Sequence, residues 1–131
     1  MLKEIAHFVR MGVELIPMQK QHSRAEFLDM INTRADSEGY AEVRRELVGD
    51  LSGRVLEVGC GTGSMFRYYG DAVEVDAIEP EQDFLELAVA KAPQMAVTVR
   101  AAAGDGMNLD FPDGTFDAED SVGHVYLRAQ P

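Results

Sequence analysis

The chain has 131 residues, of which 46% are apolar, so it can bury the core of one compact domain but not of two. Asp and Glu outnumber Lys and Arg by 23 to 12, and the net charge of −11 argues against nucleic acid as a partner, because binding its phosphates needs cationic side chains. The single cysteine excludes an internal disulfide and a zinc cluster, and no apolar run of about 18 residues predicts a membrane span, so we expect a cytoplasmic protein without a metal site.

The first part of the chain predicts three helices, which we interpret as an N-terminal helical cap over residues 1–50. Apolar residues recur at helical spacing over residues 2–16, and Pro17 ends that helix. A second helix begins at Ser23, where the sequence Ser-Arg-Ala-Glu has the form of a capping box. The third helix places four apolar residues on one face, namely Tyr40, Val43, Leu47 and Val48.

After Gly53 the pattern changes to short apolar runs that end in turn residues and alternate with helices, which is typical of βαβ units in a parallel sheet. The predicted strands cover residues 54–58, 73–78 and 97–101, with a weaker fourth over 116–122. The predicted helices are a short one through Met65 that ends at Gly70 and a longer one over residues 81–92. We therefore expect an α/β half-domain over residues 51–131, which forms one compact unit with the cap.

The most informative segment is the first strand, which passes directly into a turn with three glycines, Gly59, Gly61 and Gly63. Glycines let the backbone turn sharply and approach a ligand, and the N-terminus of a following helix attracts a carboxylate or phosphate. The third glycine of the dinucleotide pattern would fall on Ser64, so the match to an NAD site is incomplete. Glu57 would repel a second anion but attract an ammonium group. These residues favour a ligand with a carboxylate, an ammonium and a nearby ribose.

The pattern Glu57-x-Gly59-x-Gly61-x-Gly63 resembles the first motif of class I S-adenosylmethionine-dependent methyltransferases. Val-Asp-Ala-Ile-Glu-Pro at residues 75–80 resembles the second motif, and Ala-Gly-Asp-Gly-Met at residues 103–107 resembles the third. Residues 111–117 are similar to the segment that enters the fourth strand in the small-molecule branch of the family. The resemblance implies a Rossmann-like sheet with strand order 3-2-1-4, S-adenosylmethionine as cofactor and a small-molecule methyl acceptor.

The resemblance also implies roles for individual residues. In the family, the acidic residue that ends strand two accepts hydrogen bonds from both ribose hydroxyls, and here it would be Glu79. The aspartate of the third motif, here Asp105, would contact the adenine amino group. His124 follows the fourth strand and is the candidate general base for an acceptor that must lose a proton. The full set of implied cofactor-binding residues is Glu57, Gly59, Gly61, Gly63, Glu79, Pro80, Asp105, Gly106, Met107 and Ser121.

The fourth strand is where the chain departs from the family. Members continue through three more strands, so a sheet that stops at order 3-2-1-4 leaves strand four as an edge. Glu119 and Asp120 bring a carboxylate to each face of this strand. Three interpretations stay open: an exposed edge blunted by charge, a tail that is not a strand, or a carboxylate that binds a cationic acceptor. We expect a methyltransferase, and the alternative is a truncated or non-catalytic cofactor-binding module that completes its sheet as a homodimer through this edge.

Overall fold

The computed structural model describes residues 22–121, so the predicted first helix over residues 2–16 and the candidate base His124 lie outside the described residues. Two helices come first, followed by four strands with one further helix between the second and third. In chain order these elements are α1 (Arg24–Ala35), α2 (Ala41–Val48), β1 (Gly53–Val58), β2 (Val73–Glu79), α3 (Gln82–Lys91), β3 (Thr98–Ala103) and β4 (Ala118–Asp120). No helix in this part of the chain is long and apolar enough to cross a bilayer.

The four strands form one parallel sheet in the order β3-β2-β1-β4, which confirms the predicted α/β fold class and strand order. Pairing of Val58 with Ile78 and of Glu79 with Ala103 brings the carboxyl ends of β1, β2 and β3 to one edge. In open parallel sheets ligands bind outside this edge. The fold therefore brings the three motif-bearing segments together.

The fourth strand is shorter than the sequence predicted, with three residues instead of the seven of residues 116–122. Asp117 fixes where it starts, because its carboxylate accepts a hydrogen bond from the Arg54 N–H at 2.8 Å and its own N–H donates to the Arg54 carbonyl at 2.8 Å. Glu119 is exposed, whereas Asp120 is half-buried on the opposite face. Of the three interpretations of this segment, the tail without a strand is therefore wrong.

The first described helix, α1, begins where the capping box predicts. The Ser23 hydroxyl accepts from the Glu26 N–H at 3.2 Å, and the Glu26 carboxylate accepts from the Ser23 N–H at 3.0 Å. Farther along α1, Asp29 forms an ion pair with Lys91 at the end of α3 and accepts a hydrogen bond from the Thr62 hydroxyl at 2.9 Å. These contacts attach the helical cap to the segment that follows β1.

The apolar face predicted for the third helix, here α2, is wrong in part. Val48 is buried, but Val43 and Leu47 are 50% and 51% exposed, and Arg44 is buried in their place. The cause is a kink between α1 and α2, where Gly39 has a φ of 111° and α2 starts with a new helical phase. That phase turns Arg44 inward to the carboxylate of Asp36, at 2.7 Å.

The core lies on one face of the sheet, beneath α2, α3 and the short segment that joins β1 to β2. Val55, Val75 and Ala77 supply the sheet side of this layer and are 0 to 1% exposed. The covering residues come from three separate places in the chain, so burial of apolar surface joins the cap to the sheet. They are Val48, Met65, Phe66, Tyr68, Tyr69, Ala88 and Ala92.

Candidate functional site

The turn after β1 has the backbone geometry that its glycines predict. Gly59, Gly61 and Gly63 have φ values of 69°, 58° and 85°, a region that other residues enter at a cost. A Cβ atom on Gly63 would lie 2.7 Å from the ring of Phe66 and 3.3 Å from the Cα of Ala88, so this glycine lets the turn pack against α3. A Cβ on Gly61 would meet nothing within 4 Å. Gly61 is therefore the position where a ligand can approach the backbone.

The α-helix that the sequence predicted directly after this turn is not formed. The chain continues through turns into one short 3-10 segment, Phe66–Tyr68, and turns back at Gly70. A Cβ on Gly70 would lie 2.4 Å from the carbonyl oxygen of Gly49, so the backbone at Gly70 passes close to the end of α2. Only six residues, 64–69, separate the last glycine of the turn from Gly70, too few for a stable helix. The expected helix N-terminus for a carboxylate is therefore absent from the described segment.

Glu79, at the end of β2, is connected to the glycine turn. It is only 5% exposed, and its two carboxylate oxygens accept hydrogen bonds from the N–H groups of Gly61 at 2.8 Å and Glu81 at 2.9 Å. Each carboxylate oxygen has a second lone pair, so both can still accept from a ligand hydroxyl. The exposed residue Pro80 follows directly. Glu79 thus lies beside the open space over Gly61.

The segment after β3 lies at the same edge of the sheet as the glycine turn. A Cβ on Gly106 would lie 2.5 Å from a methyl carbon of Val58, so this backbone closely approaches the end of β1. The Asp105 carboxylate accepts a hydrogen bond from the Met107 N–H at 2.9 Å and closes a tight turn. The Met107 side chain is 93% exposed. Asp105, Gly106 and Met107 therefore lie at the same edge as Glu79, as the sequence predicts.

Glu57 is the most unusual ionisable group of the region. It is 0% exposed, and among residues 22–121 no group donates a hydrogen bond to either of its carboxylate oxygens. Burial raises the pKa of Glu57 well above its ordinary value, the charge of Asp120 raises this pKa further, and Arg44 lowers it. Asp120 itself accepts a hydrogen bond from the Tyr69 hydroxyl at 2.7 Å. A buried carboxyl group without a hydrogen-bond donor is suited to receive one from a ligand.

Two polar residues of this region were not found by sequence reasoning. Arg44 and Tyr69 both contact or influence the carboxylates at the ends of β1 and β4, yet neither belongs to a motif. In the sequence, these two residues stand out only because a polar side chain interrupts an apolar pattern. Cys60, in contrast, behaves as the sequence indicated: burial raises the pKa of its thiol, so it is a protonated turn residue and not a nucleophile.

The last candidates lie beyond β4. Ser121 is half-buried and directly follows Asp120, at the same edge of the sheet as the glycine turn. His124 lies outside the described residues, so its role as a base stays a prediction. The structure thus brings ten implied cofactor-binding residues to one edge of the sheet, in segments that follow β1, β2, β3 and β4.

Comparison with known proteins identifies the family. Residues 55–130, more than half of the chain, match the family model described as "Methyltransferase domain". The chain therefore belongs to the methyltransferase domain family, and its sheet is that of class I S-adenosylmethionine-dependent methyltransferases. S-adenosylmethionine is the cofactor of this class.

Three similar proteins illustrate the relationship. Phosphatidylethanolamine N-methyltransferase from Cereibacter sphaeroides is 40% identical over 86 residues, which are 64% of this chain and 42% of that protein. The 2-methyl-6-phytyl-1,4-hydroquinone methyltransferase from Synechocystis is 40% identical over 75 residues, 52% of this chain and 22% of that protein. The solved structure of a candidate S-adenosylmethionine-dependent methyltransferase from Methanococcus maripaludis shares the fold, with 18% identity, coverage of 78% and 50%, and a TM-score of 0.61. The chain thus spans less than half the length of these curated relatives.

Proposed function

We propose that the protein is a cytoplasmic methyltransferase that uses S-adenosylmethionine to methylate a small molecule, with the described residues forming the cofactor-binding half. The observation that carries this proposal is the open space over Gly61, bordered by the buried carboxylate of Glu79. That arrangement leaves room for a ligand at the backbone and supplies an acceptor for its hydroxyl groups.

The residues at the edge of the sheet fit the parts of the cofactor. Glu79 would accept hydrogen bonds from the ribose hydroxyls, and Asp105 would lie at the adenine. Glu57, buried and without a donor among the described residues, fits the ammonium group of the methionine end. The N–H groups of Gly59, Cys60, Gly61 and Gly63 already donate hydrogen bonds within the protein, so these four groups are not available to the methionine carboxylate. These assignments are supported by position and by the chemistry of the side chains.

The residues of this chain would contribute mainly position to the reaction. The cofactor, when bound, supplies an activated methyl group, so no nucleophilic side chain is needed. Holding two reactants in a near-attack geometry contributes on the order of 7–11 kcal/mol to lowering a barrier. A base such as His124 is needed only for an acceptor that must lose a proton. The curated relatives act on a phospholipid amine in one case and a hydroquinone in another, so their names do not define one acceptor for this chain.

Calorimetric titration of the chain with S-adenosylmethionine and S-adenosylhomocysteine tests the proposal. Glu79→Gln should weaken the affinity for both ligands by about 10- to 100-fold, because a charge-assisted hydrogen bond contributes roughly 1.5–3 kcal/mol. Glu74→Gln is the matched control, since Glu74 lies on the same strand but is exposed and pairs with Arg100. The affinity of Glu74→Gln for both ligands should stay within about twofold of the native value.

The same titration separates the alternatives. Failure of the native chain to bind either ligand, or equal affinity in Glu79→Gln and the native chain, would contradict the proposal. A methyl-release assay with pooled small metabolites then distinguishes an enzyme from a binding module: tight binding without turnover would favour the non-catalytic alternative.

A further inference from the structure

The ends of β1 and β4 place two carboxyl groups beside each other. Glu57 and Asp120 are paired residues on neighbouring parallel strands, so their side chains lie on the same face of the sheet. That face is the one covered by the core, and Glu57 is fully buried there. The family pattern requires Glu57 in the first motif, whereas Asp120 belongs to none of the motifs that the sequence matches. The pair is therefore a property of this chain.

Within residues 22–121, three segments bring charged or titratable groups to this pair. Arg44 lies on α2, but its guanidinium donates hydrogen bonds to Asp36 at 2.7 Å and to Asn32 at 2.8 Å. Its positive charge is therefore shared with the carboxylate of Asp36. Tyr69 lies in the segment before β2, and its hydroxyl donates a hydrogen bond to Asp120 at 2.7 Å. Cys60 in the glycine turn is buried, and the charge of Glu57 contributes to raising the pKa of its thiol. Tyr69 stabilises a charge on Asp120, while no described group donates a hydrogen bond to Glu57.

Two carboxyl groups in such surroundings do not ionise independently. Like charges that share a buried site repel each other, so after one carboxyl group has lost its proton, the other retains its proton to a higher pH than an isolated carboxyl group would. The two groups share this remaining proton. The donor from Tyr69 favours the charge on Asp120, which leaves the proton on Glu57. A cation placed between the two groups would reverse this preference, because it stabilises both negative charges.

We propose that Glu57 and Asp120 form a proton-sharing carboxyl pair, and that the ammonium group at the methionine end of the cofactor displaces this proton when it binds. The released proton passes to solvent, the ammonium keeps its own protons, and the pair changes from one negative charge to two. Asp120 thereby becomes a cofactor-binding residue. This inference rests on the proposed function, because it assigns the ligand's ammonium group to the pair.

Calorimetry in buffers with different ionisation enthalpies tests the proton release. S-adenosylhomocysteine binding to the native chain should release protons, at most about one per ligand, seen as a binding heat that depends on the buffer. Asp120→Asn should reduce the release, because burial alone then raises the pKa of Glu57, while Glu119→Gln, an exposed neighbour on the same strand, should keep the native value. 5′-Methylthioadenosine, which lacks the amino-acid end, should bind without proton release.

A second measurement needs no ligand. The side-chain carboxyl carbon of Glu57, assigned by its loss in Glu57→Gln, should titrate in carbon-13 NMR spectra with a midpoint above 4.5. Asp120→Asn should lower this midpoint, and Tyr69→Phe should change how the two carboxyl groups divide the proton. Glu119→Gln should leave it unchanged. A midpoint of Glu57 that is the same in the native chain and in Asp120→Asn would overturn the proton-sharing pair.

The outcomes separate this inference from the proposed function. Tight binding of S-adenosylhomocysteine with a heat independent of the buffer would overturn the inference and leave the proposed function intact. Absence of binding would overturn both. Proton release of the same size in Asp120→Asn and in the native chain would show that Asp120 takes no part in it.

Discussion

Arg44 shows how a single side chain holds the helical cap in place. It is 3% exposed and joins α2 to α1 through hydrogen bonds to Asp36 and Asn32. Asp36 also accepts a hydrogen bond from the Tyr68 hydroxyl at 2.6 Å. Arg44 is therefore the centre of a buried polar cluster that connects both helices of the cap to the segment before β2.

Replacing Arg44 by methionine should destabilise the chain by about 3–5 kcal/mol, because a buried carboxylate then loses its charged partner. Arg45→Met is the control, since Arg45 is the next residue on the same helix but is exposed. That change should alter the free energy of unfolding by no more than about 0.5 kcal/mol. Urea unfolding of the two variants measures the difference, and similar losses in both would argue against a special role for Arg44.

Glu57 should make stability depend on pH in an unusual direction. A carboxyl group whose pKa is raised by folding binds its proton more tightly in the folded state, so stability falls as the pH rises above the ordinary value of 4.5 toward the folded pKa. Glu57→Gln cannot ionise. Its stability relative to the native chain should therefore increase between pH 4 and pH 8.

Thermal unfolding at several pH values measures this difference. Glu86→Gln, at an exposed position on α3, should follow the native profile. Parallel profiles of Glu57→Gln and the native chain would show that Glu57 ionises as easily in the folded state as in the unfolded state.

At the scale of single residues, the sequence predicted the groups that stand at the ends of strands. Glu57 and Glu79 could be located because a strand of apolar residues precedes each of them and a turn follows. Asp120 could be placed on a strand, but its pairing with Glu57 depends on the register between β1 and β4. Register is set by contacts between distant segments, such as the two hydrogen bonds between Asp117 and Arg54, and no local pattern shows it.

Among the structural elements, the glycine turn permits the sharpest comparison. Gly63→Ala should destabilise the chain by about 3 kcal/mol, because the new Cβ would clash with Phe66 and the backbone would be strained. Gly61→Ala should cost only the conformational strain, about 1–2 kcal/mol, since the space beside it is open. It should nevertheless weaken S-adenosylhomocysteine binding by at least about tenfold, because the methyl group occupies the space proposed for the ligand.

Gly39→Ala provides the control for this comparison. Gly39 also has a positive φ and nothing within 4 Å of its missing Cβ, but it lies in the kink between α1 and α2. Urea unfolding should show a loss of stability in this variant, whereas calorimetry should show native affinity. A similar loss of affinity in Gly39→Ala and Gly61→Ala would mean that the effect is global and that Gly61 does not border the site.

The elements themselves were predictable to different degrees. Strands β1 and β2 were found because buried parallel strands read as short apolar runs, and β3 was found from its apolar run although most of its residues are exposed. The short helix expected after the glycine turn is confirmed only in part, as the 3-10 segment Phe66–Tyr68, since six residues separate the turn from Gly70. The face of α2 was wrong in part, because the buried ion pair of Arg44 with Asp36 and the kink at Gly39 set its rotation. There, a contact between distant residues outweighed the local pattern.

For the molecule as a whole, β4 lies at one edge of the sheet that the described residues form, and this edge is one place where copies of the chain could associate. Edge strands offer unpaired backbone groups, but short strands and outward charges oppose their pairing. β4 has three residues and an exposed carboxylate at Glu119. Dimerisation through this edge stays a prediction, and these features predict that it is weak.

Glu119→Val should strengthen this association, because it removes the charge and favours extended backbone. Sedimentation velocity over a range of concentrations should show a dimer fraction larger for Glu119→Val than for the native chain. Glu86→Val, which adds an apolar residue to the exposed surface of α3, is the control for non-specific association. Equal association in both valine variants would exclude a specific contribution of the β4 edge.

The proposed boundary between residues 1–50 and 51–131 divides segments that are firmly connected. Asp29 on α1 accepts a hydrogen bond from Thr62, the residue between two glycines of the turn, and Arg24 pairs with Glu81 and Asp83 at the start of α3. The helical cap of one related protein therefore cannot replace the cap of another unless the residues of the sheet domain that pair with it are changed as well. Exchange of caps during evolution would require matched changes on both sides, so we expect the two parts to have been inherited together.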